Sequence, residues 1–243
     1  MKRKKEVASV GRHVDTRRHL EGWFANVRGK GTEASINTYL TTVSRKVINT
    51  PKYVRLDWLK TEELRDIAEA LEFQGLERFL GLTGNFYPDL TKVFFTNLKV
   101  KGDCLESRVK GVVMEITPEV WETVTGLKCE GIKLGRGTIE GLEDYNKVTF
   151  YRSCLRNPGV AGKGFQVGGL SVYPRVLAFI IVWILTPRGH NHAVLHEEDL
   201  ILMNCLMNQI KVNWPSVIGM QLENAKRLMD YKIPYVVLIS KFI

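Results

Sequence analysis

Ten consecutive apolar residues, Val176 to Leu185, form the most hydrophobic run in the chain. A bilayer-spanning helix needs roughly 20, so the run reads as a core helix that other segments must surround. Ser171 and Pro174 open this helix, and Pro187 ends it after Thr186, because proline lacks the amide hydrogen that the ladder needs. Glu197, Glu198 and Asp199 begin the next helix, where carboxylates meet the positive end of the dipole, with Leu200, Met203, Leu206, Met207 and Ile210 inward. Asn213 caps and Pro215 starts a third, buried through Ile218, Leu222, Ala225 and Met229. Pro234 starts a last helix or extended piece, and the chain stops at Ile243 without a polar ending, as a fragment or truncated copy would.

Upstream, Thr61 is placed to cap a helix with Glu62 and Glu63 in its first turn and Leu64, Ile67, Ala68 and Leu71 at i, i+3, i+4, i+7. Gly75 stops it. Leu76, Phe79 and Leu80 make a short apolar turn, and Pro88 begins a helix with Leu90, Val93, Phe94 and Leu98 on one face. Leu98–Val100 and Val109–Ile116 read as two strands joined through Gly102-Asp103. Thr117-Pro118-Glu119 starts a helix that Gly126 closes, and a further helix is expected from about Leu142 to Leu155. Five glycines between residues 157 and 170 make that stretch a loop. The pattern predicts a mainly α protein: a single helical domain over residues 51–243 with a small β-hairpin near residues 98–116. Residues 1–50 have weak periodicity and are expected to form a basic, largely flexible arm, with a short helix between Glu33 and Val43. There is no internal repeat.

Charge sharpens this division. The chain of 243 residues carries a formal +9, but residues 1–30 hold nine Lys/Arg and three Asp/Glu, a net +6, leaving +3 for the rest. The run Lys2-Arg3-Lys4-Lys5 has the make-up of a nuclear-localisation signal or a phosphate-binding patch, with Arg12, Arg17 and Arg18 as further contacts. Against this stands the plainer reading of a solvated basic terminus. Cys104, Cys129, Cys154 and Cys205 are far apart with no secretory signal before them, which fits reduced thiols in an intracellular protein, nuclear or cytoplasmic.

Candidate chemistry thins out on inspection. His190, His192 and His196 lie close in sequence, but no cysteine or carboxylate completes a metal-ligand spacing, and no metal or cofactor is assigned. The loop GVAGKG has Asn157 and Gly164 where a Walker loop needs glycine and Ser/Thr around Lys163. No Gly-x-Ser-x-Gly elbow occurs, and the acids gather in helix first turns rather than in a metal-holding set. Phe86, Tyr87, Phe94 and Phe95 around Lys92 are spaced as core residues more than as stacking platforms.

Two blocks carry a resemblance. WILTPRGHNHAVLHEEDLILMNCLMNQIKVNW, from Trp183 to Trp214, with the IPYVVLISKFI ending, and the middle block GLERFLGLTGNFYPDLTKVFFTNLKVKG with VKGVVMEITPEVWETVTGLK, together span residues 75–243. They resemble the plant transposon protein domain of retroelement- and transposon-derived open reading frames. The resemblance implies an origin in a mobile element and supplies no functional residues. The leading expectation is a non-catalytic domain, not an enzyme, that binds a protein partner or itself. The alternative is nucleic-acid binding through the arm, with a nucleic-acid-processing enzyme more remote; no membrane role is expected.

Overall fold

In the computed structural model, residues 22–24, 32–134, 141–159 and 164–243 are described, and they form a helix-rich fold with one small antiparallel sheet. The helix expected near Glu33 is present as α1 (Thr32–Thr38) and widens at Tyr39–Val43, where the Ser44 amide donates to the Tyr39 carbonyl at 2.7 Å. Ile36, Tyr39 and Val43 are buried, and the buried Phe24 meets Tyr39 edge-on at 5.6 Å. Within residues 32–50, which the sequence pattern assigned to the arm, Ile36, Tyr39 and Val43 reach the core, whereas Leu40 and Val47 are exposed. The buried apolar positions are too few to form a visible stripe.

The short helices α2 (Leu56–Leu59), α3 (Arg65–Phe73) and α4 (Glu77–Leu80) come next. Thr61 does not cap as expected: its hydroxyl donates back to the Trp58 carbonyl at 3.1 Å, and the α-helix begins at Arg65, after a tight turn at Glu62–Leu64. Gly75, at φ 72°, ends α3 in the left-handed conformation that glycine adopts without strain. Helix α5 (Pro88–Asn97) buries Val93, Phe94 and Phe95.

The expected hairpin is a three-stranded meander of β1 (Lys99–Lys101), β2 (Cys104–Val109) and β3 (Val112–Ile116). The strand missed is β2. Its inward positions are Leu105, Ser107 and Val109, so a serine interrupts the apolar alternation; the Ser107 hydroxyl donates to the Phe94 carbonyl at 2.6 Å. Lys110 and Gly111 both have positive φ (51° and 83°), the turn geometry that suits the twist of a tight hairpin. Helix α6 (Pro118–Thr125) ends at Gly126 and buries Trp121, which donates to the Asp103 carbonyl at 3.0 Å. Helix α7 (Lys147–Ser153) is shorter than expected because the Asn146 side chain accepts from the Val148 and Thr149 amides and sets its start.

The all-apolar run Val176–Leu185 forms the second half of α8 (Val172–Ile180) and the wide turn, Ile181–Leu185, that continues it and stops before Pro187. It is not covered all round: Phe179 is exposed, and Val176, Trp183 and Ile184 are half-buried. The more enclosed helix is α9 (Glu197–Met207), where Leu200–Met203, Cys205 and Leu206 are all buried. Helix α10 (Trp214–Arg227) starts with the Asn213 side chain accepting from the Ser216 amide at 3.0 Å. Met229, expected inside, lies beyond its end and is exposed. The last helix is α11 (Val236–Phe242).

Two side-chain clamps tie distant segments. The buried Lys46 ammonium donates to the carbonyls of Leu228 (2.6 Å), Met229 and Tyr231 (3.3 Å each), and burial lowers its pKa. Gln74 donates to the Ile210 carbonyl at 2.7 Å and accepts from the Val212 amide and the Trp214 indole. Beside the second clamp, Gly131 sits at φ 95°, where an added Cβ would lie 2.4 Å from the Lys211 carbonyl oxygen. Gly131→Ala is therefore expected to destabilise the fold by about 3 kcal/mol, from clash and backbone strain together. Urea denaturation measures it, and an unchanged midpoint would contradict this packing.

Candidate functional site

The histidine-bearing connection between α8 and α9 is fixed by a buried ion pair. Arg188 and Asp199 are both buried, with Nη2 and Oδ2 2.8 Å apart. The same Asp199 oxygen accepts from the His196 amide at 2.7 Å, and Arg188 also donates to the Val194 carbonyl at 3.1 Å. Asp199 is therefore more than a first-turn acid serving the helix dipole. It holds both ends of the connection, and removing either partner would leave an uncompensated charge inside.

The three histidines go separate ways. His192 stacks on Trp183 with ring centres 3.6 Å apart and planes 3° from parallel, and its Nε2 lies 2.9 Å from the Arg188 carbonyl. The Lys52 ammonium stands 4.5 Å from the centre of the Trp183 ring. Burial lowers the His192 pKa, helped by the positive charges of Arg188 and Lys52 and opposed by the carbonyl bond. His190 is exposed, and His196 contributes its main-chain amide to Asp199. Among the described residues, no three His, Cys, Asp or Glu converge to hold a metal ion. Burial also raises the thiol pKa of Cys129 to about 11 and of Cys205 to about 12, which keeps both protonated at neutral pH.

The other candidates fare differently. Lys2, Arg3, Lys4, Lys5, Arg12, Arg17 and Arg18 lie outside the described residues, as do residues 160–163 of the glycine loop. Of the four aromatics spaced as core, Phe94 and Phe95 are buried, whereas Phe86 and Tyr87 are exposed. Lys92, between those pairs, donates to the Ser44 carbonyl at 2.7 Å. Among the described residues, no helix is long and apolar enough to cross a membrane.

Among the described residues, a groove of about 640 Å³ lies between α8 and the segment carrying α2, lined by Tyr53–Arg55, Asp57–Leu59, Val176, Phe179 and Ile180. Tyr53 is 56% exposed, Trp58 57% and Phe179 46%. Val172, Val176 and Phe179 fall at i, i+4, i+7 on α8, so they form one stripe that continues past the groove. A run that is apolar at every position, as Val176–Leu185 is, gives no sign in sequence of which stripe is left uncovered. Trp58, between Asp57 and Leu59-Lys60, was the one available signal: a large aromatic in a short charged segment with no helical register.

Comparison with protein-family models, with curated proteins and with solved structures gives no match.

The stacked histidine carries a pH prediction. Its folded pKa lies below the ordinary 6.5, so the unfolded chain binds more protons near that pH and stability rises with pH there. The contribution is complete above about pH 6.5 and is lost as pH falls toward the folded value. His192→Phe keeps a flat ring on Trp183 without the titration. Its melting temperature should change less than that of the wild type between about pH 5 and pH 7, and an identical pH dependence would rule out this role.

Proposed function

We propose that this chain is a non-catalytic binding domain of mobile-element origin that docks a protein surface in the groove between α2 and α8. The observation that carries the reading is the trio Tyr53, Trp58 and Phe179, each about half exposed around one concave surface. Water-exposed aromatics gathered at a concavity are the usual composition of an interface centre. Both walls are tied to the core: Leu59, next to Trp58 in the chain, is buried, as are Ile180 and Ile181 at the end of α8. The resemblance to the plant transposon protein domain supports the origin and adds no chemistry.

Selection of displayed peptides on the immobilised full chain tests this. Peptides so selected should lose at least about tenfold in affinity for a Trp58→Ser, Phe179→Ser double variant, since aromatic anchors contribute on the order of 2 kcal/mol or more. The variant should keep its helical circular dichroism, because both side chains are half in water already. Equal binding to wild type and variant would refute the groove as the docking site.

The second reading is nucleic-acid binding through the basic arm, favoured by the net +6 of residues 1–30. In the body, Lys46, Lys92, Lys211 and Lys226 each donate to a main-chain carbonyl, which draws positive charge inward. If the arm binds phosphates, replacing Lys2, Arg3, Lys4, Lys5, Arg12, Arg17 and Arg18 by glutamine should remove most affinity for a DNA duplex and flatten its salt dependence. Unchanged affinity would exclude the arm.

A further inference from the structure

Resting on the groove reading, we infer that the occupant of the groove is a second copy of this chain, related to the first by a two-fold axis through the groove. In such an isologous contact residue i meets residue j and j meets i, so the surface must be complementary to itself. This surface is, in two independent respects. Its two walls differ: one presents Tyr53 and Trp58 from the α2 segment, the other Phe179 on the α8 stripe. A two-fold exchange sets the Phe179 wall of one copy against the Trp58 wall of the other, twice.

The charges follow the same rule. Among the described residues, the charged side chains that line the groove are Arg55 and Asp57, one of each sign and two residues apart. Both are exposed, and neither makes an ion pair or side-chain hydrogen bond among the described residues. Across a two-fold axis each Arg55 meets an Asp57, so both charges are compensated and the pair of copies gains two opposite-charge contacts. A uniformly basic or uniformly acidic partner would be attracted by one of them and repelled by the other.

Magnitude sets the expected strength. A fully buried aromatic removes about 150–250 Å², so three that are already half covered contribute roughly 300 Å² per copy. A stable interface needs about 800 Å² per partner. The rim must supply the remainder, and association in the micromolar range is expected rather than a permanent dimer.

Sedimentation velocity of the full chain between about 1 and 200 μM tests the inference. The wild type should pass from monomer to dimer in this range. Arg55→Asp alone and Asp57→Arg alone should each weaken dimerisation at least about tenfold, because each sets like charges face to face. The double variant Arg55→Asp, Asp57→Arg exchanges the signs and should return to within about threefold of the wild type. Phe179→Ser, with its circular dichroism intact, should leave only monomer. Three results would overturn the inference: a monomer at every concentration, a dimer indifferent to Phe179→Ser, or a double variant no better than the single reversals. If the chain stays monomeric while selected peptides bind in a Trp58-dependent way, the self-association falls and the groove reading stands. If those peptides also ignore Trp58, both fall.

Discussion

Main-chain carbonyls at the ends of short helices are the constraint on which this fold depends. Among the described residues the longest helix, α10, has 14 residues, and two have four, so helix ends and connections make up much of the buried backbone. Each unpaired carbonyl inside would cost on the order of a lost hydrogen bond. Long side chains from elsewhere in the chain meet that need. Lys46 covers the end of α10, Lys226 the Leu98 carbonyl, Lys211 the end of α3, and Arg175 the carbonyls of Gly168 and Leu170. These bonds reach across as many as 185 residues of sequence. They make the architecture one of interlocked short pieces rather than a bundle of long helices.

The Arg188–Asp199 pair is the charged form of the same solution. The wide turn that ends the α8 run leaves a connection of ten residues, Thr186–Leu195, with two glycine- or proline-bearing bends. Arg188 meets the Val194 carbonyl, Asp199 the His196 amide, and the Tyr235 hydroxyl the Leu185 carbonyl at 2.6 Å. That last bond explains why a tyrosine holds a left-handed backbone (φ 53°) where glycine would be unstrained: the position needs the hydroxyl and the ring, which packs against Phe79. The connection is thereby rigid without regular structure, and α8 leaves the core at a fixed angle with its Val172–Phe179 stripe toward solvent.

Much of this was legible in sequence where a single residue type has a single structural use. Pro88, Pro118 and Pro187 mark helix boundaries where they were read, Gly75 and Gly126 end helices with positive φ, and Asn213 caps α10. Illegible were features whose cause is tertiary. Strand β2 was hidden because Ser107 points inward to a helix carbonyl. Residues 32–50 looked like arm because Lys46 and its apolar neighbours find their partners near residue 230. The groove was hidden for the opposite reason: a run apolar on all faces predicts burial on all faces, and here only some faces found cover.

Placement of charge and of aromatics then decides which surface is open to partners. Several of the body's cations turn inward to carbonyls, and others sit in ion pairs such as Lys147–Glu197 and Lys133–Asp103. Such pairs at the surface contribute little energy and leave little field to attract a polyanion at a distance. The apolar chemistry is distributed the other way. Helix α9 takes up the available cover from α7, α8 and α3, so α8, packed on one side, keeps a stripe that nothing in the described chain covers. The α2 segment cannot close over it, since its own Leu59 is already anchored in the core and holds Trp58 at the far wall. Two rigid walls kept apart by their separate anchors make a groove that the fold itself cannot fill, and water is the poorest occupant for one lined by tyrosine, tryptophan and phenylalanine.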